Sequence, residues 1–129
     1  MKALTSYKYN FSNNNFYPTI AVALLNKNKV ARSLALIDSG ASVSIFNLDI
    51  AEQLGIKIET GERTTLSGVS GRIAGYVHRV KARVAGKTFI CPVVFSREYK
   101  ASFNLLGRKG FFEKFKITFD EANKSVILA

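Results

Sequence analysis

The segment Leu34-Ala35-Leu36-Ile37-Asp38-Ser39-Gly40 places an acidic residue directly behind an apolar, strand-like run. A carboxylate at the end of a buried strand loses part of its hydration, which costs stability unless the group is used. Gly40 allows the backbone to turn tightly beside the acid. The same tripeptide is also typical of an ordinary Asx turn after a strand. The role of Asp38 therefore depends on what the rest of the chain provides.

Length and composition are those of one globular domain. The chain has 129 residues, of which 47% are hydrophobic, and this is enough to bury a single core. Residues 1–15 are polar and include the run Asn13-Asn14-Asn15. We therefore expect a loose N-terminal arm over residues 1–15 and a single domain over residues 16–129.

The apolar patterns predict a mostly β fold with two short helices. The helices are expected from Asn47 to Leu54 and from Arg108 to Phe115. Three glycines within residues 64–76, at positions 68, 71 and 75, indicate a sharply turned hairpin. Strands are expected over residues 17–25, 30–37, 43–46, 80–84, 88–95, 103–106, 116–119 and 125–128.

The formal net charge of +10 predicts attraction to anions. Arg79, Lys81 and Arg83 alternate with apolar residues, which predicts a strand with one apolar face and one basic face. A solvated surface explains this stripe more simply than a nucleic-acid site does.

Cys91 is the single cysteine, and it lies in the apolar run Phe89–Phe95. This context indicates a small core residue rather than a nucleophile. No CxxC motif or histidine cluster accompanies it, so we predict no metal and no other cofactor. The sequence has no signal-peptide pattern and no apolar run long enough to span a bilayer. We expect a cytoplasmic protein, or a soluble fragment of a larger one.

Two segments together resemble the retropepsin-like aspartic proteases, the single-lobe, retroviral-type relatives of pepsin. They are Ala35-Leu36-Ile37-Asp38-Ser39-Gly40-Ala41 and Asn104-Leu105-Leu106-Gly107-Arg108. The continuation Gly107-Arg108-Lys109-Gly110-Phe111-Phe112 is most similar to the prokaryotic members. The resemblance covers roughly residues 17–129, and it implies a closed β-barrel of the acid protease fold with a flap hairpin.

The resemblance also implies residue roles. Asp38 would be the catalytic acid and base, Ser39 would bond across a two-fold axis, and Gly40 would let the substrate backbone approach. Ala41 lacks the hydroxyl that pepsin-like enzymes carry beside the catalytic carboxylate, so we expect a pH optimum less acidic than pepsin's. The supporting positions would be the flap residues Gly68, Val69, Ser70 and Gly71, and the second-loop residues Leu106, Gly107 and Arg108. Arg108 would tie the second loop to the active-site loop or to a neighbouring acid, and the strand over residues 125–128 would join a sheet shared between subunits.

The chain contains only one Asp-Ser-Gly, and Asp49 and Asp120 lack that context. Two carboxylates that share one proton activate water and protonate a carbonyl, because close like charges cannot both ionise. We therefore predict an obligate homodimer that hydrolyses polypeptides between two Asp38 carboxylates. Two alternatives stay open: a catalytically silent module of this fold that binds peptides or dimerises, and a basic β-barrel that binds nucleic acid.

Overall fold

The computed structural model describes residues 4–68 and 71–129. The strands are β1 Thr5–Lys8, β2 Asn10–Ser12, β3 Asn15–Tyr17, β4 Thr19–Asn26, β5 Lys29–Ile37, β6 Ser44–Ile45, β7 Glu62–Gly68, β8 Gly71–Val84, β9 Lys87–Phe95, β10 Asn104–Leu106, β11 Ile117–Asp120 and β12 Ser125–Leu128. The helical elements are α1 Leu48–Gln53 and two single 3-10 turns, Ile58–Thr60 and Phe112–Lys114.

Six strands form a closed barrel in the order β4-β5-β10-β6-β9-β8, because β8 pairs back onto β4. The pairs β4–β5 and β8–β9 are antiparallel hairpins, whereas β10 lies parallel to β5 and β6 lies parallel to β9. Strand β7 is not part of the barrel and pairs antiparallel with the first half of β8, so that the two strands form a long hairpin. The predicted mostly β class is confirmed.

The barrel interior is filled by side chains from alternating positions along the strands. On β8, Val80, Ala82 and Val84 are buried while the intervening basic residues are exposed, as the alternation predicts. Cys91 is 1% exposed, and burial raises the pKa of its thiol to about 11. A thiol that stays protonated near neutral pH is a poor nucleophile, so its prediction as a core residue is confirmed.

The N-terminal segment is ordered into strands, and the prediction of a loose arm is wrong from Thr5 onward. Strand β1 pairs antiparallel with β12, and the Tyr9 hydroxyl donates a hydrogen bond to Glu121 Oε1 at 3.1 Å. Strand β12 also pairs with β11 on its other side. Because β12 is central in this three-stranded sheet, it has no free edge to offer a partner subunit.

The first predicted helix is present as α1, and Gly55 follows it with φ +67°, a conformation that favours glycine. The second predicted helix is wrong, because residues 108–115 contain only the 3-10 turn Phe112–Lys114. Gly110 has φ +89° and interrupts any helix there. Within residues 4–68 and 71–129, no helix is long and apolar enough to cross a membrane.

Candidate active site

Asp38 leaves the barrel where two parallel strands end side by side. In the β5–β10 ladder Leu106 is in register with Ile37. The Asp38 amide donates to the Leu106 carbonyl at 3.0 Å, and the Ile37 amide donates to Pro18 at 3.0 Å. These bonds join the end of β5 to the backbone on either side of it, so the Asp38 side chain emerges at a defined point at the barrel end.

The turn after Asp38 orients its carboxylate. The Gly40 amide donates to Asp38 Oδ1 at 2.9 Å, and the Ala41 amide donates to the Asp38 carbonyl at 3.1 Å. This is the Asx turn that the ordinary interpretation predicts. Asp38 itself is half-buried, whereas Ser39 and Gly40 are exposed. The Asx turn therefore leaves the carboxylate oriented and accessible, which is compatible with a catalytic role.

A second loop, residues 107–110, is joined to the Asp38 loop through the backbone. The Arg108 amide donates to the Ala41 carbonyl and the Lys109 amide donates to the Ser42 carbonyl, both at 2.9 Å. These bonds tie the start of the 108–115 segment to the Asp38 loop, and the helix expected after them is interrupted at Gly110, which has φ +89°. The Arg108 side chain is exposed and has no ion-pair partner among the described residues. The link expected between the loops is therefore made by amides rather than by a guanidinium.

Gly107 is the point of closest approach between the two loops. A Cβ built on Gly107 would overlap the Val43 backbone, so no other residue fits without moving that segment. The Gly107 amide donates to Ser44 Oγ at 3.0 Å, and Leu106 beside it is buried. The apolar-apolar-Gly pattern at this position therefore has a steric cause.

Tyr99 lies close enough to Asp38 to feel its charge. Burial, and secondarily the negative charge of Asp38, raise the pKa of the Tyr99 phenol. The hydroxyl donates to the Phe103 carbonyl at 2.6 Å, which holds the ring in place. Because this phenol remains protonated around neutral pH, its single O–H stays bonded to the Phe103 carbonyl, and the ring holds a fixed position near the candidate acid.

A cleft of about 330 Å³ lies between the β7–β8 hairpin and the loop over residues 96–101. The loop is fastened to the hairpin, since the Ala74 amide donates to Glu98 Oε2 at 3.1 Å and Ser96 Oγ donates to the Ala74 carbonyl. Gly68 and Gly71 pair at the end of the hairpin. The predicted flap residues Val69 and Ser70 lie outside the described residues. The residues that line this cleft include Ile45, Leu66, Ile73 and Tyr99.

The other two aspartates lie on other elements, Asp49 on α1 and Asp120 at the end of β11. Asp49 is exposed in the first turn of α1. Asp120 accepts hydrogen bonds from the Asn123 amide and side chain, which lower the pKa of its carboxyl. Among the aspartates of the chain, only Asp38 stands at the junction of β5 and β10.

The model of the aspartyl protease family matches residues 22–109, which is more than half of the chain and includes Asp38 and Gly107. The chain belongs to the aspartyl protease family. EIAV protease complexed with the inhibitor HBY-793 has a similar structure, with a TM-score of 0.56 and 21% identity over 76% of this chain and 88% of that chain. This likeness, together with the family match, confirms the retropepsin-like fold. No curated protein matches the chain.

Two residues of this aspartyl protease that sequence reasoning missed are Tyr99 and Glu98. Neither belongs to a motif, and both occur in an otherwise polar stretch, residues 96–102. Their position depends on a hairpin bond to Ala74, which lies 24 residues away in the chain. An aromatic residue shortly before the second-loop motif was the only local signal.

Proposed function

We propose that this aspartyl protease is an endopeptidase that acts as a homodimer, with one Asp38 from each subunit in a shared site. The observation that carries the proposal is the position of Asp38, oriented by Gly40 and accessible at the end of the barrel. One chain supplies one such carboxylate, whereas hydrolysis without metal or covalent intermediate uses two. A two-fold axis beside Asp38 would supply the second.

The proposed chemistry is general acid–base catalysis by the two carboxyl groups. The ionised Asp38 accepts a proton from water as that water attacks the peptide carbonyl carbon. The protonated Asp38 of the second subunit donates its proton to the carbonyl oxygen. Collapse of the tetrahedral intermediate breaks the C–N bond, and the leaving amine takes up a proton from the pair. Ser39, exposed at the turn, is available to bond to the partner loop.

We further propose that the β7–β8 hairpin, with Gly68, Val69, Ser70 and Gly71 at its end, is the flap. Its support is the cleft beneath it, whose apolar residues suit an apolar substrate side chain. The bond between Ala74 and Glu98 would make the 96–101 loop move with the flap. Closure would exclude water and strengthen the electrostatic interactions at the dyad.

Incubation of the purified chain with a library of unstructured peptides tests the proposal. Asp38→Asn should lower kcat/KM by about a thousandfold or more, and a statine-type transition-state mimic should block the wild type. Asp49→Asn is the matched control, because Asp49 is exposed on α1, and its activity should be unchanged.

Sedimentation at micromolar concentration tests the second half of the proposal. A dimer that cleaves peptides between mildly acidic and neutral pH supports it. A dimer that cleaves nothing would favour the silent binding module. A monomer that cleaves peptides would contradict the shared site outright.

A further inference from the structure

The outer surface of the barrel carries a cluster of basic side chains that the proposed catalysis does not use. Strands β5, β4, β8 and β9 are neighbours in this order. Their outward-facing positions include Arg32 on β5 and three exposed basic residues in the second half of β8, Arg79, Lys81 and Arg83. We call this surface the basic face, and its members are Arg32, Arg79, Lys81 and Arg83.

The basic face has no acidic residue among its strands. All nine Asp and Glu residues lie outside residues 19–37 and 76–95. Within the described residues, the ion pairs are Arg97–Glu59 and Lys124–Glu121, so none of the basic-face residues is paired. Such unneutralised charge produces a positive potential that attracts anionic partners. The two segments contain seven cationic residues: Lys27, Lys29, Arg32, Arg79, Lys81, Arg83 and Lys87.

A groove runs along β4 between two arginines. Ala23 is in register with Arg32 on one side and with Arg83 on the other. The small side chains of Ala21 and Ala23 form its floor, and its volume is about 530 Å³. Because the two arginines are two strand spacings apart, their Cα atoms are separated by about 10 Å.

We propose that this groove binds an acidic polypeptide segment in an extended conformation. Successive side chains of an extended peptide point to opposite sides, so consecutive Asp or Glu residues would reach Arg32 and Arg83 in turn. Guanidinium groups bind carboxylates in a bidentate geometry. Lys81, two residues from Arg83 on the same side of β8, would meet a further carboxylate. The backbone of β4 is already paired on both edges, so recognition depends on side chains rather than on strand addition.

The surroundings of the groove favour a polypeptide over other polyanions. The exposed neighbours are aliphatic, with Leu34 55% and Ile90 47% exposed, and they suit the apolar parts of a peptide. The outward positions of β5, β4, β8 and β9 that flank the arginines hold no aromatic side chain for base stacking, on which single-stranded nucleic acid depends. A concave floor between arginine walls is also a poor match for a flat bilayer surface.

Fluorescence anisotropy with a labelled peptide of ten consecutive glutamates tests the binding directly. The Asp38→Asn background removes cleavage, so the readout does not depend on activity. Arg32→Gln/Arg83→Gln should weaken binding about tenfold or more, since it removes two charge-assisted contacts. Lys8→Gln/Lys116→Gln removes the same charge at exposed positions on and beside the separate β1-β12-β11 sheet and should change binding about twofold at most. Equal weakening by both pairs would overturn the groove as a specific site.

A charge-conserving pair sharpens the result. Arg32→Lys/Arg83→Lys keeps the charge and removes the planar fork, so its affinity should fall between those of the wild type and the glutamine pair. The same proteins are tested with a ten-nucleotide single strand and with phosphatidylserine-containing vesicles. Tighter binding of either one than of the peptide, lost in the glutamine pair, would overturn the assignment of the partner as a polypeptide.

Recruitment of acidic substrates through this groove rests on the proposed endopeptidase function. Appending six glutamates to a cleavable peptide should lower its KM in the wild type and leave KM unchanged in the glutamine pair. Glutamate binding without any cleavage would refute the endopeptidase and leave the groove in place. Cleavage without glutamate binding would refute the groove and leave the endopeptidase in place.

Discussion

The Asp38 site and the basic face share strand β5 but depend on different features of the chain. At the site, backbone amides and glycines fix the loops, and a single carboxylate emerges from them. On the face, the backbone is regular and the proposed binding depends on exposed side chains. Substitutions at the site should therefore disrupt its geometry and cause large losses. Substitutions on the face should change binding in small steps that depend on salt concentration.

Gly107→Ala should produce the largest effect, because it attacks the backbone contact that holds the site together. The new Cβ would overlap the Val43 backbone, and no flexible side chain is available to move aside. We expect a loss of about 3 kcal/mol or more in the free energy of unfolding, as severe overpacking gives. Urea denaturation measures it. Gly68→Ala is the matched control, since a Cβ there meets nothing within 4 Å. Equal stability of the two variants would contradict the steric role of Gly107.

Cys91 tests the burial of the barrel interior, since its thiol lies near Gly110 of the second loop and forms a hydrogen bond with Ser44. Burial raises the pKa of its thiol from 9.0 to about 11, more than the Ser44 hydrogen bond lowers it. Above pH 9 the unfolded chain releases this proton while the folded chain keeps it. The free energy of unfolding should therefore fall with rising pH, by up to about 1.4 kcal/mol per pH unit.

Denaturation of the wild type and Cys91→Ala between pH 8.5 and 9.8 measures this slope. The variant should have a flatter dependence on pH, whatever its absolute stability. The range stops below 10 because burial also raises the pKa of Tyr7, Tyr9 and Tyr99 above the ordinary 10.0. Parallel slopes would show that the thiol is exposed to solvent in the folded chain.

Mixing subunits tests whether the site is shared while the basic face is not. A mixed dimer of one wild-type chain and one Asp38→Asn chain lacks the second carboxylate and should be inactive. At constant total concentration, an equimolar mixture of wild type and Asp38→Asn should retain about a quarter of the wild-type activity after exchange. An equimolar mixture with an inert protein should retain about a half. Indistinguishable values in the two mixtures would indicate that each chain works alone.

The regular parts of the fold could be predicted from the sequence because their signals are local. The alternation on β8 and the glycine after α1 each depend on a few neighbouring residues. The conformation of residues 108–115 could not be predicted from their helical spacing, because Gly110 adopts φ +89° where the second loop is bonded to Ala41 and Ser42, and only the 3-10 turn Phe112–Lys114 forms after it. Pairing of β1 with β12 depends on residues about 120 positions apart.

The residues of the candidate site likewise differ in whether they could be predicted from the sequence. Asp38 and Gly107 were predictable, because each sits in a short motif with a steric or chemical cause. Tyr99 was not, since its proximity to Asp38 depends on how the 96–101 loop is fastened to the hairpin. The groove over Ala23 likewise needs the register of three strands, which no single segment of the sequence contains.

Arg83→Gln should produce the smallest change in the free energy of unfolding, because it alters one exposed side chain of the basic face. Arg83 is exposed and unpaired among the described residues, and it repels Arg32 across Ala23. The Cα atoms of the two arginines are about 10 Å apart, a separation comparable to the Debye length in 0.1 M salt, so the repulsion is screened at higher salt. We expect a stabilisation of at most about 0.5 kcal/mol at low salt, which disappears at high salt. Thermal unfolding at 20 mM and 500 mM salt measures it, with Lys116→Gln as the control off the face. A loss above about 1 kcal/mol at both salt concentrations would mean that Arg83 supports the fold, and the basic face would then not be free to serve binding alone.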